Sequence, residues 1–240
     1  RTMAAYSATA SARVTAGSTQ PIGTDPGIAD TAAILLAAEQ VGAAARCLEK
    51  TMAETPFPGQ GLAAAELAER LRAGSAALFP TDTVPALAAR PDAAAQLWQL
   101  KRRPARKPMI LMGAAPEALF AALDLPIEPQ WRTMAERCWP GAVTLVLPAR
   151  GPLAHALHGA GSSLGLRIPA CPVALALLRR SGPLATTSAN RSSEPPCRTA
   201  AEAAALFPAL PQLGPVPWPE GSGQPSTCLL YTSPSPRDRG

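Results

Sequence analysis

The stretch LGLRIPACPVALALLRRSGPLATTSAN, residues 164–190, contains a strand, a helix and a second strand in one short run of sequence. Its apolar residues predict a strand at 164–168, a helix at 173–180 and a strand at 184–186. Arg167 interrupts the first strand, where an unpaired charge would be costly to bury. We therefore expect Arg167 either to emerge at a ligand pocket or to pair with an acid of the chain, such as Asp82.

The same alternation of strands and helices continues on both sides of this stretch. Further strands are predicted at residues 76–79, 109–112 and 143–147, and helices at 30–50, 63–72, 91–100, 116–123, 131–138 and 200–206. Strands and helices that alternate around one sheet are typical of an α/β (α+β) domain.

The composition supports a globular domain and excludes several other classes of protein. The 240 residues are 47% apolar and 16% charged, so the chain can build a core and is not disordered throughout. The sequence has no three- or seven-residue repeat, which excludes collagen and a coiled coil. No apolar run approaches the ~20 residues that a membrane span needs. The net charge of +5 is compatible with a polyanionic partner such as a nucleotide or RNA.

The first motif that could carry chemistry is PTDTV, residues 80–84, directly after the strand predicted at 76–79. Two hydroxyls and a carboxylate crowd a turn that a proline opens. An ordinary Asx or Ser/Thr turn has the same pattern, so the motif alone leaves both interpretations open. Strand ends are, however, where open α/β sheets bind their ligands.

The second motif is KRRPARKP, residues 101–108, which places five cations in seven positions between a helix and a strand. One interpretation is a phosphate clamp, because arginine offers a fork of donors and lysine a point charge. The other is a solvated charged loop, which is usual for such runs. The two prolines stiffen the segment, which favours the clamp.

Two further motifs lie at the ends of strands. WPGAVT, residues 139–144, predicts a tight turn that leads into a strand. TTSAN, residues 186–190, places four small polar side chains after an apolar strand. They suit hydrogen bonding to a polar ligand, although a capped turn before the next helix has the same composition.

Histidine and cysteine offer little chemistry in this sequence. His155 and His158 are spaced H-x-x-H in a loop-like region without nearby acids, so we expect no metal site there. The five cysteines are scattered singly and form no C-x-x-C pair, which argues against structural zinc and a disulfide framework. We interpret them as structural or incidental.

Taken in order, the motifs resemble the YrdC-like family of threonylcarbamoyl-AMP synthases, which begin the threonylcarbamoyladenosine (t6A) modification of tRNA. The resemblance covers residues 60–227 and is carried by PTDTV, Lys101-x-Arg103-Pro104, WPG-x-VT, LRIP at 166–169, and TSAN at 187–190. It implies a twisted, open mixed sheet flanked by helices, with a concave basic ligand-binding face. It also implies a nucleotidyltransferase that joins L-threonine, bicarbonate and ATP.

The resemblance also assigns roles to individual residues. Those implied for ATP are Lys101, Arg103, Lys107, Ser163, Ser188 and Asn190, and those implied for threonine are Thr83, Arg167, Thr186 and Ser226. Mg²⁺ is expected on the ATP phosphates rather than on a metal site of the protein. No catalytic side chain is implied, because the reaction depends on positioning and charge neutralisation.

Two departures from the family pattern bear on activity. Pro85-Ala86-Leu87 follows PTDTV where the family usually has Tyr-Gly-Leu, so a backbone donor is lost and a positive φ would be disfavoured. The family's later arginine, expected beyond Ser226, is absent, and the truncated chain could be inactive for that reason.

Three segments are expected along the chain. Residues 1–55 form a leader and an N-terminal helix, and the leader resembles either an organelle transit peptide or a disordered extension. Residues 56–227 form the YrdC-like domain, cut short at its C-terminal end. Residues 228–240 are expected to be a non-native tail, because CLLYTSPSPRD back-translates into a transposon-end sequencing adaptor. The location implied is the cytoplasm, or an organelle stroma or matrix if the leader is a transit peptide.

Two other functions remain open at this point. A non-catalytic RNA-binding module could use the basic groove, although RNA-binding surfaces usually expose aromatic side chains. A YrdC-like domain could also serve carbamoyl transfer in a larger enzyme. The partners implied by the leading interpretation are ATP, L-threonine, bicarbonate, weakly or indirectly bound tRNA or double-stranded RNA, and a downstream tRNA threonylcarbamoyltransferase, with no membrane.

Overall fold

A computed structural model describes residues 3–6, 61–102, 107–158 and 161–231. Within these residues the strands form one mixed sheet in the order β1-β8-β5-β6-β4-β7-β3-β2. The strands are β1 Met3–Tyr6, β2 Ala77–Phe79, β3 Ala86–Ala89, β4 Ile110–Met112, β5 Val143–Pro148, β6 Ser163–Arg167, β7 Leu184–Ser188 and β8 Thr227–Tyr231. The α-helices are α1 Ala64–Arg72, α2 Ala95–Lys101, α3 Pro116–Ala121, α4 Pro129–Cys138, α5 Gly151–Leu157, α6 Pro172–Ser181 and α7 Ala200–Leu206.

The predicted α/β class and open mixed sheet are confirmed, and each strand and helix predicted between residues 63 and 206 is present. The helix predicted at 91–100 divides into a 3₁₀ turn, Pro91–Ala93, and α2. The helix predicted at 30–50 lies outside the described residues, as does the leader beyond Tyr6.

The loop-like interpretation of the region around His155 and His158 is wrong. His155 lies on α5, and His158 is the residue that ends this helix. The sequence did carry a signal for this helix. A proline lies at its start, and Ala154 and Leu157, three residues apart, form a short apolar side that is buried. Strand β3 was also missed, because its four small or apolar residues are buried and show no alternation.

The pairing register divides the sheet into two faces, because residues that pair across strands point to the same side. Leu166 pairs with Leu111 and Leu145, and all three belong to the main core under α2, α3, α4, α5 and α7. Gly165 pairs with Ile110, which pairs with Thr186, so this row faces the opposite side.

Helices α1 and α6 cover part of this second face. Leu67 and Leu71 of α1 and Leu177 of α6 pack with Phe79 and Met112 of the sheet in a second apolar cluster. The same face also carries Ser163 and Arg167, each two residues from Gly165, and Ser188, two residues from Thr186. Four of the polar residues expected at the site therefore share this face, which we call the polar face: Ser163, Arg167, Thr186 and Ser188.

Strand β8 extends the sheet beyond β5. Thr227–Tyr231 pairs in parallel with β5 and antiparallel with β1. Tyr231 packs edge-on against Trp131 of α4, with ring centroids 5.7 Å apart, and its hydroxyl donates to Glu128. The first four residues of the predicted tail thus lie in a strand, and their non-native origin stays a prediction.

Replacing Leu166 by alanine should lower the free energy of unfolding by about 2–5 kcal/mol, because this fully buried side chain lies in the centre of the sheet. Urea denaturation measures the change. The same truncation at Leu153, which is only partly buried on α5, is the matched control and should cost clearly less. Equal losses at the two positions would contradict the placement of the main core.

Candidate active site

Arg167, the last residue of β6, is the charged centre of the polar face and is 3% exposed. Its Nε donates to the Gly141 carbonyl at 3.0 Å, and Nη1 donates to Thr83 Oγ1 at 2.9 Å. Its Nη2 donates to Asp82 Oδ1 at 2.7 Å in a buried ion pair. Burial lowers the pKa of Arg167, and the Asp82 carboxylate opposes that shift. Arg167 therefore pairs with Asp82, as one of the two interpretations of the sequence expected.

The turn formed by residues 80–85 crosses the sheet to reach Arg167. It connects β2 to β3, while β7 and β4 lie between β3 and β6. Three strand spacings amount to roughly 14 Å, so the turn lies over the face rather than beyond its edge. This placement brings the PTDTV motif and the arginine of LRIP together, although they are distant in sequence.

Hydrogen bonds within this turn fix the direction of its hydroxyl groups. Thr81 Oγ1 donates to the Val84 carbonyl at 2.7 Å and accepts the Thr83 backbone N–H at 3.1 Å. The two hydroxyl oxygens of Thr81 and Thr83 lie 2.9 Å apart. Because the proton of Thr81 is directed to Val84, the hydroxyl of Thr83 donates to Thr81 and accepts from Arg167. One lone pair of Thr83 Oγ1 remains for a ligand donor.

A covering segment, residues 221–226, lies on the turn. The backbone N–H groups of Ser222 and Gly223 donate to the carbonyls of Asp82 and Thr83 at 3.0 and 2.9 Å. Gly221 allows this approach, because a Cβ there would lie 2.4 Å from the Thr83 carbonyl oxygen. At the other end, Ser226 Oγ lies 2.9 Å from Thr144 Oγ1. Ser226 is thus placed beside the same polar face as Arg167.

Lys101 and the TTSAN motif form a second polar group. Lys101 is 3% exposed, and its Nζ lies 2.5 Å from both the Ser188 carbonyl and Asn190 Oδ1. Ser188 Oγ donates to the same Asn190 oxygen at 2.7 Å, and Asn190 Nδ2 donates to the Glu194 carbonyl. The ammonium therefore holds the turn that follows β7 in place.

Three of the predicted ATP residues lie along one edge of the sheet. Ser163 begins β6, Lys107 lies three residues before β4, and Ser188 ends β7, whose direction is opposite. These three positions therefore flank the same edge, and Lys107 is exposed there. Ser163 Oγ also lies 3.3 Å from His158 Nδ1. Arg103 lies outside the described residues.

Along β6 the face has two ends. Ser163 and Arg167 are four residues apart, or roughly 13 Å in a strand. Thr186 lies between these ends, buried, with its hydroxyl 3.5 Å from the Ile110 carbonyl. Gly165 is also central, and a Cβ there would lie 2.9 Å from Ile110 Cγ2. Ser163 and Ser188, predicted for ATP, thus lie at one end of the face, and Arg167, predicted for threonine, lies at the other.

Sequence reasoning missed three contributors to this site. Thr144 is fully buried beside Ser226, Gly141 supplies a carbonyl to Arg167, and Gly221 allows the covering segment to approach. Gly141 and Thr144 had a signal, because both lie in the WPGAVT motif, whereas Gly221 had none. The expected strain at Ala86 is not found: Ala86 is extended in β3 and pairs with Ser188.

Cysteine and metal chemistry find little support in this site. Burial raises the pKa of the thiols of Cys171, Cys197 and Cys228, which disfavours the thiolate at neutral pH. Among the described residues, no three His, Cys, Asp or Glu side chains are grouped as metal ligands would be.

Within the part of the chain that the structure describes, no helix is long and apolar enough to cross a membrane.

A separate cleft of about 570 Å³ lies between α3, α4 and α6. Phe120, Trp139 and Leu175 contribute apolar surface, and Arg132 and Arg179 lie at its side. The guanidinium of Arg132 is 5.6 Å from the centre of the Phe120 ring. None of the predicted site residues that the structure describes lines this cleft, so it is distinct from the polar face.

Comparison with known proteins identifies relatives of this chain. The Sua5/YciO/YrdC family model, described as telomere recombination, matches residues 69–235. A threonylcarbamoyl-AMP synthase of Klebsiella pneumoniae is 39% identical over 134 residues, which cover 54% of this chain and 70% of the relative. Another, of Escherichia coli O6:H1, is 38% identical over 162 residues, covering 63% and 85%.

A solved structure supports the same relationship. Sua5 of P. abyssi, complexed with L-threonine, matches with a TM-score of 0.65 and 30% identity. The match covers 71% of this chain and 51% of the Sua5 chain, so this chain spans about half the length of that relative.

Replacing Gly221 by alanine should displace the covering segment from the turn, because the backbone carbonyls of Thr81 and Thr83 leave no room for a Cβ. The backbone amides of Ser222 and Gly223 should then exchange hydrogen faster, as mass spectrometry can measure. The control is Ser222→Ala, which keeps the backbone bond to Asp82 because the side chain takes no part in it. Unchanged exchange in Gly221→Ala would contradict the close packing of this segment.

Proposed function

We propose that this chain, which belongs to the Sua5/YciO/YrdC family, is a threonylcarbamoyl-AMP synthase that acts in the t6A modification of tRNA. The observation that carries the proposal is its identity of 38–39% to synthases of that name, over 70–85% of their length. The polar face supports it, because it collects the PTDTV, LRIP and TTSAN motifs on one side of the sheet.

The proposed reaction joins three substrates without a covalent enzyme intermediate. L-threonine, bicarbonate and ATP give threonylcarbamoyl-AMP, pyrophosphate and water. The α-ammonium group of threonine first loses a proton. The amine nitrogen then forms a bond to the carbon of bicarbonate, and a second nitrogen proton leaves with the bicarbonate hydroxyl as water. An oxygen of the new carbamate then attacks the α-phosphorus, and the bond to the pyrophosphate group breaks.

The two ends of the face suit the two larger substrates. We assign threonine to the end with Thr83, Arg167, Ser226 and, at its border, Thr186. We assign the ATP phosphates to the edge with Lys107, Ser163 and Ser188, together with Arg103. Lys101 and Asn190 act on the same end by holding the turn at Ser188. An oxygen of the carbamate formed on threonine and the α-phosphorus would then meet between the two ends, near Gly165.

The chain's contribution to the rate would be positioning and charge neutralisation. Substrates held at two fixed ends of one face react as parts of a single complex, which removes much of the entropic barrier. Lys107 and Arg103 would neutralise charge on the phosphates as pyrophosphate leaves. The buried hydrogen bonds of Arg167 and Lys101 keep both ends in place before substrate arrives.

We propose that Mg²⁺ enters with ATP, as part of the substrate. The ion usually keeps several waters and binds phosphate oxygens, so it needs no cage of protein ligands.

The product of this reaction is a mixed anhydride of a carbamic and a phosphoric acid. Such a compound reacts readily with nucleophiles, so the next reaction should be transfer of the threonylcarbamoyl group to an adenosine amine of tRNA. We infer that a tRNA threonylcarbamoyltransferase consumes the product and that contact of this chain with tRNA is weak or indirect.

The direct test is to incubate the 240-residue chain with Mg-ATP, L-threonine and labelled bicarbonate. We expect labelled threonylcarbamoyl-AMP and one pyrophosphate per product, detected by chromatography and a phosphate assay. L-serine and omission of threonine are the controls. Folded chain that binds ATP but forms neither product nor pyrophosphate would overturn the proposed activity.

Alanine at Arg103 or Lys107 should weaken ATP binding by about 1.5–3 kcal/mol, the usual loss for one hydrogen bond to a charged group. Calorimetry with ATP measures the loss, and threonine binding without ATP should change less. The matched control is Arg137→Ala, because Arg137 lies on α4, which packs on the opposite face of the sheet. Unchanged ATP affinity in both variants would contradict the phosphate clamp and favour the interpretation of residues 101–108 as a solvated charged loop.

A further inference from the structure

Asp82 is the one acid in the polar turn, and no substrate group has been assigned to it. One of its carboxylate oxygens, Oδ1, accepts the hydrogen bond from Arg167. Within the described residues, the structure gives the other oxygen, Oδ2, no hydrogen-bond donor. The side chain is 15% exposed, compared with 3% for Arg167. Asp82 is therefore oriented by the arginine and still has an acceptor that a ligand could reach.

The charges of the pair also bear on the ligand. Arg167 and Asp82 together have no net charge, and their nearest charged atoms lie 2.7 Å apart. A ligand whose only charge is a carboxylate would therefore be attracted by the arginine and repelled by the aspartate. An α-amino acid at neutral pH carries both a carboxylate and an ammonium group. Laid antiparallel to the ion pair, it places each of its charges beside an opposite one.

The hydroxyl group of Thr83 supports the same orientation. Its proton is directed to Thr81 and one lone pair accepts the Arg167 N–H, so toward a ligand it offers only an acceptor. Asp82 Oδ2 is likewise an acceptor. Two acceptors in neighbouring residues match a group with several N–H donors, which is the ammonium rather than the carboxylate of an amino acid.

We infer that Asp82 binds the α-ammonium group of the amino-acid substrate while Arg167 binds its carboxylate. The Asp82–Arg167 ion pair thereby selects α-amino acids over acids that lack the amine. This inference rests on the proposed function and adds a specificity-determining residue to it. It also places the nitrogen that must react with bicarbonate at the turn, next to Thr83.

The test compares two ligands on two proteins by calorimetry. The ligands are L-threonine and 3-hydroxybutanoate, which is threonine without its amine, and the proteins are the parent chain and Asp82→Asn. Asparagine keeps an oxygen for Arg167 and removes the charge. We expect the parent to bind threonine at least tenfold more tightly than 3-hydroxybutanoate, and Asp82→Asn to reduce that preference to about twofold.

The matched control is Asp92→Asn, which removes the carboxylate of an exposed Asp–Arg pair with Arg90 and should keep the full preference. If Asp82→Asn weakens both ligands by the same factor, Asp82 serves only to hold Arg167 and the inference is wrong. If that variant does not fold, the parent alone decides, because equal affinity for the two ligands would overturn the inference as well.

The synthase assay on the same parent preparation separates this inference from the proposed function. Product formation together with no loss of amine preference in Asp82→Asn would refute the role of Asp82 and leave the activity standing. A folded parent chain that forms no product would instead refute the activity, and one that also binds no threonine would refute both.

Discussion

The buried ion pair between Arg167 and Asp82 is the interaction on which the arrangement of the polar face depends. Removing a guanidinium from water is costly, and the cost is offset only where partners satisfy its donors. Here those partners come from the PTDTV turn and from Gly141, so three distant segments meet at the end of β6. The turn is long enough to cross two strands, and the covering segment packs on its carbonyls.

The cations of the face divide into buried and exposed groups with different consequences. Arg167 and Lys101 are both 3% exposed, and each organises a loop of the chain through its own hydrogen bonds. Lys107 is exposed at the sheet edge, where it can meet a phosphate with little loss of other contacts. In the proposed reaction the buried Arg167 and Lys101 would fix the geometry, Arg167 would also bind the threonine carboxylate, and the accessible Lys107 would bind the phosphates.

Much of this arrangement could be predicted from the sequence because its cause is local. The apolar strand around Arg167 required a partner for the charge, and Asp82 was named as an example of such an acid. The inward direction of Lys101 could not be predicted, because the sequence does not distinguish it from the other four cations of residues 101–107. Its direction toward β7 follows from its position at the end of α2. Strand β3 was missed because its residues show no alternation. Of the covering segment only Ser226 was named, because the segment is Pro-, Gly- and Ser-rich and has no period.

The most direct measurement is a crystal structure of the chain grown with L-threonine and a non-hydrolysable ATP analogue. The account predicts the threonine carboxylate within about 3 Å of an Arg167 nitrogen, its ammonium toward Asp82 and the phosphates along the edge with Lys107 and Ser163. Threonine bound elsewhere, for example in the cleft between α3, α4 and α6, with Arg167 bonded only to its own chain, would contradict it.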